Sequence, residues 1–393
     1  MKINNYTQKF NTGYFLIIIY SIILKLLFIP TGLSDLQGYQ MGVLVFNYVD
    51  YGFIKRSLPG TIVKLISYIY PNIYSYNSFY IIYTLLTIMF TIMLYLLIKT
   101  VLDKADNKLF VYQYGLIASA FLLISYWNVT LFGMPDIILL SLVILEVLLI
   151  LKEKHEWLII PITLICVLIH EGFACMQMPV TIVLLMWRYR NTKNKKYLWI
   201  WITHMMITLV VGVYLLKVVP YTEELYNQSL TLSKQIGNGV YYPGILAQVL
   251  HMPSDMATQL NVDPNFEGYL KSGRRQIIPF LILCFPYVYT WIRSSNKRIN
   301  TLSIIGILLM VPMFILFCDY GRYFTYIIFY LLCLVLTLLY FEDKKIEEFS
   351  NNCTQSRNQI LEFKWLILWT IMINPLLCFH INFITVYFDL LVN

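Results

Sequence analysis

Charge is scarce in this sequence. Asp, Glu, Lys and Arg make up 13% of 393 residues, where soluble domains carry about a quarter. That scarcity leaves no room for a large soluble domain. Cysteine motifs are also missing. The seven Cys are scattered, mostly inside apolar runs (Cys166, Cys175, Cys284, Cys318, Cys333), with no CxxC, so neither a disulfide framework nor a zinc site is inferred. His170-Glu171 is not followed by a second His at the HExxH spacing, because position 174 is Ala174, so zinc-protease chemistry is not supported. No small-residue cleavage site follows the first apolar run, Tyr14–Ile29, which reads as a retained first span rather than a signal peptide. Internal repeats that would argue for an inverted-repeat transporter are not evident.

What is abundant is apolar sequence, 59% of the chain. A soluble protein with a very large core does not need repeated apolar stretches of roughly 18 or more residues. The expected fold is therefore all-α: one polytopic integral membrane domain over residues 1–393 with about eleven transmembrane helices. The expected spans are 13–29, 77–98, 109–127, 135–151, 157–170, 172–187, 198–219, 277–293, 301–318, 323–341 and 365–385. Two larger outer segments remain, about 30–76 and 221–276, and the first carries an amphipathic stretch near Ile62–Tyr70 that can lie along the interface.

The formal charge of +8 reads as loop charge on the cytoplasmic side and not as a nucleic-acid footprint. With the N-terminus inside, nineteen of the 29 Lys and Arg fall on inner segments and nine on the longer outer ones, with Lys25 in the first span. Trp157–Trp187 is too short for two full spans, which need about 40 residues. Reading it as one span would invert everything downstream and erase the charge bias, so it is expected to be a short helical hairpin. Its tip, His170-Glu171, lies within the membrane thickness and must face protein or a wet cavity. The abundance of Tyr, Ile, Phe, Asn and Lys is associated with an AT-rich bacterial genome, so the expected location is a bacterial inner membrane, multi-pass, and the charge bias puts the expected active face outside.

Five polar features share that outer face. Ser34-Asp35-Leu36-Gln37-Gly38-Tyr39 offers a carboxylate, Asp35, as a general base or as a ligand for a divalent metal against a diphosphate; helix capping is the plain alternative. Asp50-Tyr51-Gly52-Phe53-Ile54-Lys55-Arg56-Ser57-Leu58-Pro59-Gly60 places two adjacent cations against the charge rule. Lipid headgroups, Asp50 or a bound phosphate must compensate them, and Arg binds phosphate in a bidentate fork. Asp136, one residue after Pro135, is either catalytic or a cap. His170-Glu171 is either a tuned acid–base pair or a polar brace between helices. In Asp319-Tyr320-Gly321-Arg322, Arg322 either pairs with Asp319 or meets a phosphate. Arg274 and Arg275 form a further cationic pair at the end of the second outer segment. His204, within a span, is given no role, and the inner halves of the spans read as almost purely apolar.

This layout resembles the GT-C class of membrane glycosyltransferases. Asp35 stands where that class has its first-loop acidic residue, and Asp136 resembles the acidic residue opening a later outer loop. The segments GFIKRSLPG, HEGF and DYGRYF also look like those of bacterial membrane proteins of surface-polysaccharide loci, polymerases among them. The first loop departs from the class in having no adjacent acidic pair and no DxD. The resemblance implies a polyprenyl-phosphate-linked sugar donor, a glycan or lipid-linked acceptor and a lipid bilayer as partners. Asp35, Glu171, His170 and Asp136 would be catalytic. Lys55, Arg56, Arg322, Arg274 and Arg275 would bind donor phosphate, with Asp50, Asp319 and Tyr39 supporting. No cofactor is required outright; a divalent metal stays open, and no metal ligands are assigned. The rival expectation is a transporter or flippase for a lipid-linked or anionic solute. The apolar inner halves weigh against it, because such proteins carry polar groups through the bilayer depth.

Overall fold

The computed structural model describes residues 3–28, 36, 38–127, 132–217, 227, 297–316, 320–342, 344–354, 362 and 364–371. Every regular element among them is helical. After α1 (Ile3–Phe28) come three short helices, α2 (Gly38–Val45), α3 (Tyr48–Tyr51) and α4 (Leu58–Ser67). The bundle continues with α5 (Tyr76–Lys104), α6 (Lys108–Trp127), α7 (Asp136–Lys152), α8 (Ile159–Ile169), α9 (Phe173–Met176), α10 (Met178–Thr192) and α11 (Lys195–Lys217). Last come α12 (Lys297–Leu316), α13 (Tyr320–Tyr340) and α14 (Lys344–Thr354).

Among the described residues, five segments are long and apolar enough to cross a membrane: Tyr6–Leu27, Tyr76–Lys104, Lys108–Trp127, Lys195–Leu215 and Arg322–Tyr340. Helices α7, α8 and α10 fall on expected spans and have 17, 11 and 15 residues. The expected span 277–293 lies outside the described residues, and 365–385 enters them only as far as 371.

Helices α6 and α13 form the centre. Buried residues make up 89% and 83% of their apolar windows, against 28% and 22% for α1 and α11 at the periphery. The peripheral helices expose Phe15, Leu16 and Leu27 from α1, Leu85 from α5 and Leu209 from α11. Such broad apolar faces would drive association in water, whereas hydrocarbon accommodates them. Three hydroxyls inside the bundle are satisfied within their own helices: Ser119, Ser125 and Ser141 donate to carbonyls four residues earlier. Across helices, the Tyr14 hydroxyl donates to the Thr91 carbonyl at 2.6 Å, and Trp127 Nε1 donates to Thr91 Oγ1 at 3.1 Å.

The stretch Trp157–Trp187 is broken by its own polar residues. His170 is extended (φ −160, ψ 121) and ends α8. Ion pairs give the helix directions. Arg188 on α10 meets Glu153 after α7, and Lys196 on α11 meets Glu156 before α8 at 2.7 Å. At the opposite end, Arg322 at the start of α13 meets Asp136 at the start of α7. Helices α7 and α10 therefore run one way and α8 the other, so the chain reverses at His170–Gly172. Both α8 and α10 pack on α11.

The segment before α5 is shaped by caps and close approach. Asn47 Oδ1 accepts from the Asp50 N–H at 2.8 Å, capping α3. Helix α4 opens with Pro59 in its first turn. A Cβ on Gly60 would overlap the carbonyl oxygen of Phe46, so only glycine lets α4 approach the end of α2 this closely. Helix α4 buries Val63 and exposes Ile62, Leu65 and Ile66, a face suited to a membrane interface.

Candidate functional site

Two buried Arg–carboxylate forks stand at the end of the bundle where α7 and α13 begin and α8 stops. In the first, Arg56 Nε donates to Glu171 Oε1 and Oε2 at 3.0 and 3.1 Å, and Arg56 Nη2 donates to Oε1 at 2.5 Å. Both side chains are buried. Arg56 sits in the tight turn between α3 and α4 with φ +62, and Gly52 at the turn's other side has φ +71. A non-glycine residue held there costs about 1–3 kcal/mol, and such strain gathers at functional sites. In the second fork, Arg322 Nε and Nη2 donate to Asp136 Oδ2 and Oδ1, each at 2.8 Å. Asp136 is fully buried. Its helix begins on Pro135 without a side-chain cap, so the carboxylate goes to Arg322 and not to the helix terminus.

His170 joins the forks. Its Nδ1 accepts the Gly172 N–H at 2.9 Å and lies 3.7 Å from Glu171 Oε2. The nitrogen that accepts is unprotonated, so any ring proton sits on Nε2. His170 also feels the charges of Arg56, Asp136 and Arg322. The two pairs and the histidine thus form one electrostatic cluster assembled from four parts of the chain.

Lys55 is buried beside them and forms no ion pair among the described residues. Burial pulls its ammonium down from the usual lysine range to about 8, opposed by Glu171 and assisted by Arg56. Among the described residues the cluster holds three cations, Lys55, Arg56 and Arg322, and two carboxylates, Glu171 and Asp136.

Of the expected site residues, Lys55, Arg56, Asp136, His170, Glu171 and Arg322 come together here. Asp50 does not join them: it accepts from Asn47 Nδ2 at 2.9 Å and pairs with Lys64 at 2.9 Å. Glu171, not Asp50, compensates Arg56. Asp35, Arg274, Arg275, Asp319 and the side chain of Tyr39 lie outside the described residues. Glu171 and Asp136 are each held in a guanidinium fork, which favours the ionised form and makes a poor base. Their geometry suits positioning the arginines. Among the described residues no group of three or more His, Cys, Asp and Glu could hold a metal ion.

Two features escape a reading along the chain. Lys25, near the end of α1, is buried under the rings of Phe132, Tyr80 and Trp127, with Nζ 2.8, 4.8 and 6.0 Å from their centroids. Its ammonium has no hydrogen-bond partner among the described residues. The second is a polar knot that corrects the expectation of purely apolar inner halves. Glu146, ten residues along α7 and so roughly 15 Å beyond Asp136, is fully buried and meets Thr181, Thr163 and, through Thr163, His204. A lone acid inside the run Asp136–Leu151 was the available signal. No protein-family model, curated protein or solved structure matches the chain.

Proposed function

We propose that the chain is a GT-C-like membrane glycosyltransferase or polysaccharide polymerase of a bacterial inner membrane, with about eleven spans and an inside N-terminus. It moves a sugar or oligosaccharide from a polyprenyl-(di)phosphate donor to a glycan or lipid-linked acceptor on the extracytoplasmic face. One observation carries the reading. Lys55, Arg56 and Arg322 converge with their carboxylates at a single end of the bundle, and the Lys and Arg bias puts that end outside.

The donor phosphate meets Lys55 first, because that cation has no ion-pair partner among the described residues, and Arg56 and Arg322 flank it. The acceptor hydroxyl oxygen bonds to the anomeric carbon as the bond from that carbon to the phosphate oxygen breaks. The leaving lipid phosphate keeps the electron pair, and the three cations neutralise it. Asp35 takes the hydroxyl proton, while Glu171 and Asp136 hold the arginines in place. The test is radiolabel transfer from extracted polyprenyl-linked sugars by purified protein. Wild type transfers label, and Asp35→Asn folds and binds donor but does not turn over. A wild type that transfers nothing with any native lipid extract refutes the enzyme.

A transporter or flippase for a lipid-linked or anionic solute is the second reading, favoured by the Glu146 knot deep in the bundle. Net lipid movement in proteoliposomes without covalent product selects it.

A further inference from the structure

Glu146 differs from the other two buried acids. Asp136 and Glu171 are each gripped by an arginine, whereas Glu146 has no cationic partner among the described residues. Its neighbours are hydroxyls: Thr181 Oγ1 donates to Oε2 at 2.5 Å, and Thr163 Oγ1 lies 3.3 Å from Oε1. A bare carboxylate so placed loses its solvation without a countercharge, whereas the neutral acid avoids most of that cost.

Hydrogen-bond accounting points the same way. Thr163 has one hydroxyl proton and three acceptors in reach: the Ile159 carbonyl at 2.7 Å, His204 Nδ1 at 2.5 Å and Glu146 Oε1. With Glu146 protonated, Oε1–H donates to Thr163 Oγ1, and the Thr163 hydroxyl donates to His204 Nδ1. Reversing both bonds moves the Glu146 proton to the threonine oxygen and the threonine proton to Nδ1. The products are a carboxylate and an imidazolium, with Thr163 unchanged and no proton lost. Both arrangements are satisfied by the same atoms. The oxygens are already within hydrogen-bond distance of one another, so no room is left between them for a metal ion.

We propose that Glu146 is a proton-binding site inside the bundle and that Thr163 and His204 form the path by which its proton is exchanged. His204 Nε2 is buried without a hydrogen-bond partner among the described residues, and its ring meets that of Phe173 edge to face at 6.0 Å, just after the His170–Gly172 turn. Gln177, one helical turn before Thr181, is fully buried, and neither of its amide atoms has a partner among the described residues. Orphan polar groups inside a membrane bundle are places for water, and these lie between Glu146 and the ion-pair end. The groups facing Glu146 are Thr163 and Cys166 from α8, Thr181 from α10 and His204 from α11. Helices α5 and α13 also pack on α7 but bring no further titratable group to Glu146 among the described residues.

Infrared difference spectroscopy of the full chain in lipid nanodiscs tests this without any sugar or lipid substrate, so its outcome is separate from the fate of the glycosyltransferase reading. Wild type shows a protonated-carboxyl stretch that shifts in D2O, fades as pH rises and is lost in Glu146→Gln. In Thr163→Val the band remains while its deuterium exchange slows by about 100-fold. A spectrum unchanged by Glu146→Gln overturns the proposal, because Glu146 is then ionised throughout. A wild-type band indifferent to both pH and D2O overturns it as well, leaving an inert brace. Should Glu146→Gln fail to fold, wild-type exchange and Thr163→Val decide the matter.

Discussion

The Asp136–Arg322 fork can be tested by taking it apart in two ways. Asp136 is fully buried and Arg322 nearly so, and two bonds of 2.8 Å join them. Breaking a buried ion pair by removing one partner costs about 3–5 kcal/mol. Asp136→Leu takes the fork carboxylate from Arg322, and Arg322→Met takes the fork guanidinium from Asp136. Replacing both removes the charges together, and apolar pairs of similar volume are often neutral or stabilising at such sites. Each single variant should therefore lose about 3–5 kcal/mol and the double variant much less than the sum, a coupling of several kcal/mol. Denaturation in mixed micelles reads all four corners of the cycle. Additive losses would refute the reasoning, because the two side chains would then not act as a unit. Transfer assays on the same proteins separate architecture from function: the double variant is stable but lacks a phosphate-competent arginine, so it binds donor poorly.

Two further outcomes follow from the same geometry. Lys55 titrates near 8, so it is charged below that pH and neutral above it; donor-phosphate binding should weaken as pH rises through 8, and Lys55→Arg should remove that dependence because guanidinium stays charged. The stability sign is opposite: the cost of burying the ammonium is present below about 8 and relieved between there and the unfolded lysine range, so wild type gains stability over that interval. Gly60→Ala would drive a methyl into the Phe46 carbonyl, and the resulting shift should cost about 1–3 kcal/mol and reduce the monodisperse fraction, read by size exclusion and thermal denaturation.

Much of the local architecture was legible along the chain. The stretches 77–98 and 135–151 correspond to α5 (Tyr76–Lys104) and α7 (Asp136–Lys152), because apolar runs between polar caps leave the backbone little choice but a helix. The break at His170–Gly172 was readable for the same reason: a His and a Glu inside an apolar run need partners that a lipid-facing helix cannot supply.

Pairing was another matter. Arg322 forms a fork with Asp136, 186 positions away. Asp50 is close to Arg56 in sequence, yet Glu171, 115 positions away, forms the fork. Sequence distance says little about which charges meet once helices pack, since burial rewards whichever carboxylate reaches the guanidinium with good geometry. The same limit hid Glu146. Counted along α7 it is one acid among apolar neighbours; only packing α8, α10 and α11 around it brings Thr163, Thr181 and His204 into contact. Composition and periodicity by themselves determined that this chain is helical and rich in membrane-length apolar segments, because those properties follow from the cost of exposing backbone and apolar surface. Tertiary packing alone decided which polar side chains share a site, because that depends on contacts between residues far apart in the chain.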